Sequence, residues 1–516
     1  MTSASPIVGQ FGTSPAPQAV MPDLARSFAN RTLILLSNRE PYEHRHGEIG
    51  IDVRRPPGGL VTALDPTMQA TDGVWVAWGS GSADAETADH EGRLRVPPGE
   101  DGYTLRRVFL SDAEVDGYYM GFSNRSLWPL CHMLVQHFEY RTDYWNMYQE
   151  VNSKFAQAVA DEVRRSPEKP IVWIQDYHFA LAAEMLRELA TPALIHQFWH
   201  IPFPPADILR LLPTGVDEAL LRGLLGNDLI EFHTERYALN FLGCVAELVP
   251  EAEIDADTLS IHYDGRRIDV AIFPISIDVE RYEQLASTPE SDALVERLRK
   301  RYTSNGQRLG LGVDRVDYTK GIPERLRALC ELWERHPEML ETFTFLLVAT
   351  PSRSELPAYR ALEEEMLQTV IEINERFKTP TWHPIVLVHE NVSADMLAAV
   401  YRAADLCLIS SLQDGMNLVA KEFIACQTEE RGVLVLSRFA GASEEIDGAV
   451  LINPFNLDGF VEGIRRALHM SEGERRVRMH RMRRQLHDRT IFDWLFAVLT
   501  RAQDIIAERE PESGVA

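Results

Sequence analysis

The segment Ser411-Leu412-Gln413-Asp414-Gly415-Met416-Asn417-Leu418-Val419-Ala420-Lys421-Glu422 follows an apolar run, Asp405 to Ile409, that reads as a buried strand. It precedes Phe423-Ile424-Ala425, which continues a helical pattern. A strand, a tight Asp-Gly turn and a helix with an acid one turn in frame a site for a nucleotide-sugar diphosphate. The first N–H groups of such a helix have no intrahelical partners and point at an anion placed there. Glu422, deeper on the helix, can accept hydrogen bonds from ribose hydroxyls, as an acid does in dinucleotide folds. For Asp414-Gly415 alone, an ordinary Asp-capped turn is the plainer reading. The block Gly312-Val313-Asp314-Arg315-Val316-Asp317-Tyr318-Thr319-Lys320-Gly321 sets two cations just after another strand. Arg315 and Lys320 can neutralise charge growing on a departing phosphate, a preorganised electrostatic catalysis that needs no metal. Each taken singly is also an ordinary solvated charge at a helix start. Gly58-Gly59, behind Pro56-Pro57, lets backbone approach a phosphate without side-chain interference, although plain turns use glycine pairs too.

These residues need rigid elements to carry them. Short apolar runs alternate with helical stretches, the pattern of parallel α/β domains. In the first half, strands are expected at Thr32–Ser37, Val74–Trp78, Ile171–Ile174, Leu194–Trp199 and Asp228–Phe232, with helices around Val151–Arg164, Ala180–Leu189 and Tyr237–Val249. Ser260–Tyr263 and Arg267–Ala271, split by Asp264-Gly265, read as a hairpin. In the second half, strands are expected near Leu309–Val313, Phe343–Ala349, Ile385–Val388, Asp405–Ile409, Gly432–Leu436 and Ala449–Ile452, with helices at Pro323–Arg335, Glu355–Arg376 and Asp395–Ala403. The expected fold is α/β, with two facing, doubly wound, Rossmann-like domains and a cleft between them. Such sheets bind ligands beyond the carboxyl ends of their strands, where most of the chemistry-bearing residues fall. The expected organisation is a disordered tail over 1–30, an acceptor-side domain over 31–272 and a nucleotide-sugar domain over 273–475. The chain end at 509–516 is expected to be frayed.

A chain of 516 residues is too long for one core and fits two domains. A net charge of -25 argues against nucleic-acid or anionic-membrane partners, yet a local basic pocket for a phosphorylated small molecule fits on an acidic surface. Five cysteines without CxxC spacing read as small core residues in a reducing compartment. No apolar run reaches the length of a membrane span, and the Ala-, Ser- and Pro-rich start lacks the layout of a signal peptide. The expected location is the cytoplasm. Composition leaves a homo-oligomer open.

The Asp414–Glu422 stretch resembles the donor-binding signature of the trehalose-6-phosphate synthases, the retaining glycosyltransferases of family 20. The resemblance extends through Ser37-Asn38-Arg39, Gly58-Gly59-Leu60, Gly121-Phe122-Ser123-Asn124 with Leu127-Trp128-Pro129, and Asp176-Tyr177-His178. It continues through His200-Ile201-Pro202-Phe203-Pro204, Gly312–Gly321, Pro351-Ser352-Arg353 and Phe439-Ala440-Gly441-Ala442, so that it spans roughly residues 32 to 500. It implies the glycosyltransferase-B architecture, with helices over 476–508 returning to the first domain, and transfer of glucose from a nucleoside-diphosphate glucose, UDP-glucose first, to glucose 6-phosphate. No cofactor or metal is implied.

By the same resemblance, Asp176 orients the acceptor hydroxyl or takes its proton, and His200 hydrogen-bonds the donor glucose. Asp414 contacts a donor-sugar hydroxyl, Asn417, Leu418 and Val419 contribute mainly backbone N–H groups, and Gly415 and Met416 belong to the same donor site. Arg39 and Arg353 clamp the acceptor phosphate, with Trp78, Tyr119 and Trp128 around its sugar. Trp75, Trp145 and Trp173 read as core, and His178 as structural.

Three features depart from the family pattern. Gln413 stands where Arg is usual, and His196-Gln197-Phe198-Trp199 replaces Gly-Phe-Phe-Leu. Asn38-Arg39-Glu40-Pro41-Tyr42 is similar to the opening of glucosylglycerol-phosphate synthases, which act on glycerol 3-phosphate. That activity and a catalytically silent sugar-phosphate sensor are the two alternatives. The residues do not distinguish uridine, guanosine and adenosine as the donor base.

Overall fold

The computed structural model describes residues 31–55, 59–100, 102–303 and 306–509. The expected N-terminal tail, the last residues and Gly58 lie outside them. The chain forms two units, one holding the described residues up to Ile275 and those from Phe492, the other Ser276–Ile491.

In the first unit the strands are β1 (Leu33–Arg39), β2 (Glu43–His46), β3 (Ile51–Arg54), β4 (Val74–Trp78), β5 (Arg93–Val96), β6 (Tyr103–Val108), β7 (Ile171–Gln175), β8 (Leu194–Phe198), β9 (Leu229–Phe232), β10 (Glu253–Asp255), β11 (Ser260–Tyr263) and β12 (Arg266–Ile272). Ten of them make one sheet in the order β10-β11-β12-β9-β8-β7-β1-β4-β6-β5. From β12 to β6 neighbouring strands are parallel, and antiparallel strands close both edges. The central strands are near-continuous apolar runs because helices cover both faces. Leu33–Leu36, Val74–Ala77 and Ile171–Ile174 are buried throughout. The strand order reverses between β1 and β7, so Arg39 and Asp176 leave the sheet at its topological switch point, where open α/β sheets bind ligands.

The second unit has β13 (Arg308–Arg315), β14 (Phe343–Thr350), β15 (Ile385–Val388), β16 (Leu406–Ile409), β17 (Val433–Ser437) and β18 (Val450–Ile452). Its sheet, β15-β14-β13-β16-β17-β18, is parallel throughout and has the order of a Rossmann domain. The switch point here lies between β13 and β16, whose carboxyl ends lead into the 315–321 and 411–417 segments. The expected doubly wound sheet is therefore present in each unit.

Expected strand ends shift by a residue or two, and the helix expected from Val151 begins at Thr142 and runs to Arg165. Its buried side chains Tyr144, Tyr148, Val151, Phe155 and Val159 recur at helical spacing and form one apolar face. Three features were not expected. Glu43–His46 and Ile51–Arg54 form a separate two-stranded hairpin whose first strand, Glu-His-Arg-His, carries no apolar alternation. Strands β5 and β6 extend the first sheet. Val115–Leu127 forms a π-helix, whose wide turn has no 3.6-residue periodicity to read. Its Gly121 sits against Tyr144, where a Cβ would come within 2.6 Å of the ring.

Helix Glu472–His487 belongs to the second unit, while Ile491–Arg509 runs on into the first. There Trp494 lies 5.7 Å from Trp173 and 5.2 Å from Phe198, ring centre to ring centre. Trp75, Trp145 and Trp173 are buried, as expected of core residues, and the five cysteines are unpaired. No described helix is long and apolar enough to cross a membrane.

Candidate functional site

At the first unit's switch point, Asp176 follows β7 with φ 69° and ψ -179°, a conformation that side-chain-bearing residues rarely hold. The surroundings fix it there. Its N–H donates to Phe198 O at 2.7 Å, and Gln197 Nε2 donates to its carbonyl at 3.0 Å. Its carboxylate accepts the His200 N–H at 3.2 Å. The following turn is braced from helix Thr142–Arg165. Tyr148 OH donates to Tyr177 O at 2.7 Å and accepts from Ala180 N–H, and Asn152 Nδ2 donates to His178 O at 3.1 Å. Strain held by so many bonds is the pattern of a preorganised functional residue.

His200 lies against Gln175, 2.9 Å from Nε2 to Oε1, and stacks on Phe198. Burial, and next the nearby His233, hold its imidazole well below the usual histidine range, so it is neutral at physiological pH. Trp78, at the end of β4, lies 5.7 Å from Tyr119, which stacks on His178 at 6.0 Å. Trp128 lies 5.8 Å from Tyr177. Tyr177 OH donates to Asn124 Oδ1 at 3.1 Å, joining the π-helix to the Asp176 turn. Arg39 ends β1 exposed, next to Trp78 in the strand register and just past a bulge at Ser37. Gly59 opens helix Gly59–Thr71.

In the second unit, Lys320 Nζ donates to Asp414 Oδ2 at 2.6 Å, and Asn417 Nδ2 donates to the same oxygen at 3.0 Å. Asn417, at φ 86°, caps helix Leu418–Cys426 by accepting the Ala420 N–H. Leu418 and Val419 open that helix, so their N–H groups precede its first intrahelical bonds. The Asp414–Met416 segment is pinned beneath Phe439–Ala442. Asp414 N–H donates to Phe439 O at 3.1 Å, Gly441 N–H to Asp414 O at 3.1 Å and Ala442 N–H to Met416 O at 2.8 Å. This gives a physical role to the Phe-Ala-Gly-Ala stretch, which sequence reading marked only as a motif.

Asp317 is the centre that sequence reasoning missed. Its buried carboxylate accepts Thr319 N–H and Oγ1–H at 3.0 and 2.9 Å, and Tyr359 OH at 3.3 Å. Arg353 Nη1 lies 3.5 Å from Oδ2 and donates to Tyr359 OH at 2.6 Å. Burial pushes the Asp317 carboxyl up, but Arg353, Arg315 and Lys320 outweigh it and hold the group down at about 2. The structure thus brings Arg315, Lys320, Arg353, Asp414 and Asn417 to one end of one sheet. The Arg353 side chain is only 8% exposed and engaged with its own unit, rather than standing out as a surface arginine. Arg315 forms no hydrogen bond or ion pair among the described residues. Gln413 is buried.

Arg325, in the next helix turn, is wholly buried and donates to Asp314 at 2.5 Å and Ser410 Oγ at 3.0 Å, tying β13 to the exit of β16. Gly312 is its necessary neighbour, since a Cβ there would come 2.2 Å from Nη1. Glu422 is engaged by tyrosines. Tyr401 OH donates to it at 2.9 Å, and burial raises its pKa against the hydrogen bonds of Tyr401 and Tyr282. Among the described residues, no three His, Cys, Asp or Glu side chains form a group able to hold a metal.

The model of the family described as "Glycosyltransferase family 20" matches residues 31–504. The chain belongs to glycosyltransferase family 20. It is 38% identical over 473 residues to a bifunctional trehalose-6-phosphate synthase/phosphatase of Thermoproteus tenax. That match takes in 90% of this chain and spans 62% of the relative's length. Among solved family members, a UDP-forming α,α-trehalose-phosphate synthase from Burkholderia xenovorans, in complex with glucose 6-phosphate, superposes with a TM-score of 0.79 at 31% identity. That likeness covers 92% of this chain and all of the other. An Escherichia coli family member bound with UDP-2-fluoro glucose gives 0.80 at 29% identity, covering 92% and 99%. The family 20 fold accounts for both sheets and places the Asp176 turn and the Arg315–Lys320 block at strand ends.

Proposed function

We propose that this family 20 chain transfers glucose, with retention, from a nucleoside-diphosphate glucose to glucose 6-phosphate, giving α,α-trehalose 6-phosphate. The observation that carries this reading is the cation cluster at the second switch point, beside a capped helix N-terminus and the pinned Asp414 loop. Solved relatives with a UDP-glucose analogue and with glucose 6-phosphate support the donor and the acceptor respectively.

In this reading the donor diphosphate lies at the first N–H groups of helix Leu418–Cys426, and its ribose hydroxyls reach Glu422. The bond between the anomeric carbon and the phosphate oxygen breaks while the bond to the acceptor oxygen forms on the same face. The acceptor proton passes to the departing diphosphate. Arg315 and Lys320 stabilise the negative charge developing there, most strongly at the transition state. Lys320 turns from Asp414 to the phosphate as the donor enters, and Asp414 takes up a sugar hydroxyl. Neutral His200 bonds the donor sugar without adding charge, and Asp176 orients the acceptor hydroxyl. Arg39 and Arg353 bind the acceptor phosphate. Aromatic faces of Trp78, Tyr119 and Trp128 border its sugar. Retention by double displacement would need a carboxylate behind the anomeric carbon. None of the residues assigned here is given that task.

A matrix of UDP-, GDP- and ADP-glucose against glucose 6-phosphate and glycerol 3-phosphate tests the proposal, with products identified by mass and anomeric configuration. The expected product is α,α-trehalose 6-phosphate, formed equally in the presence of a chelator. Turnover only with glycerol 3-phosphate moves the chain to the glucosylglycerol branch, and no turnover with any pair leaves the sensor.

A further inference from the structure

The first unit holds a buried charge cluster that the reaction scheme above does not use. Arg107, on β6, has a fully buried guanidinium and spends every nitrogen. Its Nε donates to Glu40 Oε2 at 2.8 Å, and Nη1 donates to Thr87 Oγ1 at 2.8 Å and Asp84 O at 3.1 Å. Its Nη2 donates to Tyr42 O at 2.8 Å and lies 2.9 Å from Asp84 Oδ1 and 2.7 Å from His44 Nδ1. The carboxylates reach further. Glu40 Oε1 accepts the Ser80 N–H at 3.0 Å, and Asp84 accepts the N–H groups of Gly81 and His44 at 2.5 and 2.8 Å. Gly81 is packed closely enough that a Cβ would come 2.3 Å from His44 O.

One guanidinium and two carboxylates therefore join the exit of β1 to the turn after β4. Glu40 is the residue after Arg39, and Ser80 is two residues after Trp78. Arg39 and Trp78 are themselves paired in the strand register. We propose that Glu40 and Arg107 are positioning residues, which fix the Arg39 and Trp78 exits so that the acceptor phosphate and its sugar are met in one geometry. This rests on reading Arg39 and Trp78 as acceptor contacts. The bond from the Ser80 N–H to Glu40 is the one that links the residue after Arg39 to the turn after Trp78.

The cluster holds two carboxylates against one guanidinium, with His44 kept neutral by burial and by Arg107 against the pull of Asp84. Burial first, then the hydrogen bond with Asp84, pushes the Glu40 carboxyl up to about 8 against the pull of Arg107. At neutral pH Glu40 therefore keeps its proton. Its loss in alkali sets two buried carboxylates against each other beside Arg39.

Steady-state kinetics of the full chain with UDP-glucose and glucose 6-phosphate test the proposal. Glu40→Ala is expected to raise the KM for glucose 6-phosphate roughly tenfold, with the UDP-glucose KM within about twofold. Glu40→Gln keeps an acceptor for Arg107 and a donor for Asp84 but leaves the Ser80 N–H without its acceptor, so its KM for glucose 6-phosphate is expected to fall between those of Glu40→Ala and the parent. In the parent, the glucose 6-phosphate KM rises several-fold between about pH 7 and pH 9, and Glu40→Gln abolishes the rise. If Arg39→Ala raises this KM and Glu40→Ala does not, the positioning role is wrong while the acceptor site stands. If Arg39→Ala leaves it unchanged, the acceptor reading fails and the positioning role falls with it. Equal rises in both KM values for Glu40→Ala mean a structural role only. Should Glu40→Ala not fold, the pH profiles of the parent and of Arg107→Lys decide the matter, and a flat parent profile overturns the proposal.

Discussion

Gly441→Ala isolates the pinning of the Asp414 loop without touching any charged group. A Cβ built on Gly441 falls 2.1 Å from Gly415 O, 3.0 Å from Gly415 C and 3.2 Å from Met416 Cα. All three are backbone atoms, so no side chain can rotate aside. Ordinary Cβ contacts lie at 3.4–4 Å, which means the Asp414–Met416 segment or the Phe439–Ala442 segment must move by about 1 Å or more. The three hydrogen bonds between these segments, at 2.8 to 3.1 Å, lengthen or break with that motion. Overpacking of this kind costs roughly 1–3 kcal/mol of stability. Misplacing a positioning element by about 1 Å costs on the order of a hundredfold in rate. The expected result is a folded enzyme whose kcat/KM for UDP-glucose falls about a hundredfold while the glucose 6-phosphate KM changes little. UDP release is followed across donor concentrations at saturating acceptor, alongside thermal melts. Gly473→Ala is the matched control, because its Cβ meets nothing within 4 Å and it lies in a helix. It should leave kinetics alone and stabilise by up to about 1 kcal/mol. A folded Gly441→Ala enzyme with donor kcat/KM within twofold of the parent would refute the reasoning.

Arg315→Ala and Lys320→Ala should each lower kcat roughly a hundredfold or more, with acceptor KM nearly unchanged, because their charge matters most as the leaving diphosphate forms. Steady-state rates check this, and an unaltered kcat removes that residue from the leaving-group role. Arg353→Ala should raise the glucose 6-phosphate KM roughly ten- to hundredfold, the worth of a charge-assisted hydrogen bond. It should also cost about 1–3 kcal/mol in urea titrations, since it takes a cation from buried Asp317. A surface ion pair would cost under about 1 kcal/mol. Glu40 makes a pH signature in stability. Its carboxyl is raised in the folded state, so its stabilisation is complete below the unfolded value of 4.5 and is lost as pH climbs to about 8. Between these limits the parent should lose up to roughly 1.4 kcal/mol per pH unit relative to Glu40→Gln in urea titrations. Parallel curves for the two proteins would contradict the assignment.

The two sheets were legible in the sequence because their strands are continuous apolar runs bounded by turn residues, such as Val74–Trp78 and Ile385–Val388. The β2–β3 hairpin was not, since Glu-His-Arg-His carries no apolar alternation, and the π-helix follows no period that helical or strand patterns share. Within the site, charges beside strand ends were legible by type and place. Their mutual engagements were not. Arg325 is one of several charges in the expected helix Pro323–Arg335, yet it is buried because Ser410, 85 residues away, and Asp314 receive it. Asp317 lay in plain view between two cations, but only the fold brings Tyr359 and Arg353 onto it. Gln197 read as a departure from the family pattern, whereas its amide holds the strained Asp176 carbonyl.

The crossing of the chain back into the first unit bears on the order of events during synthesis. Trp494 fills a core formed by Trp173 and Phe198, and Arg501 and Arg509 pair with Asp269 and Asp228 at 3.0 and 2.7 Å. A ribosome that has delivered the first 275 residues has therefore not delivered the whole of that unit. The second unit is contiguous and can fold as it emerges, whereas the first waits with an open apolar seam until residue 509 is free of the exit tunnel. A chain stalled or clipped near residue 490 exposes Trp173 and Phe198 far upstream, so damage at one end of the polypeptide is felt by the unit at the other.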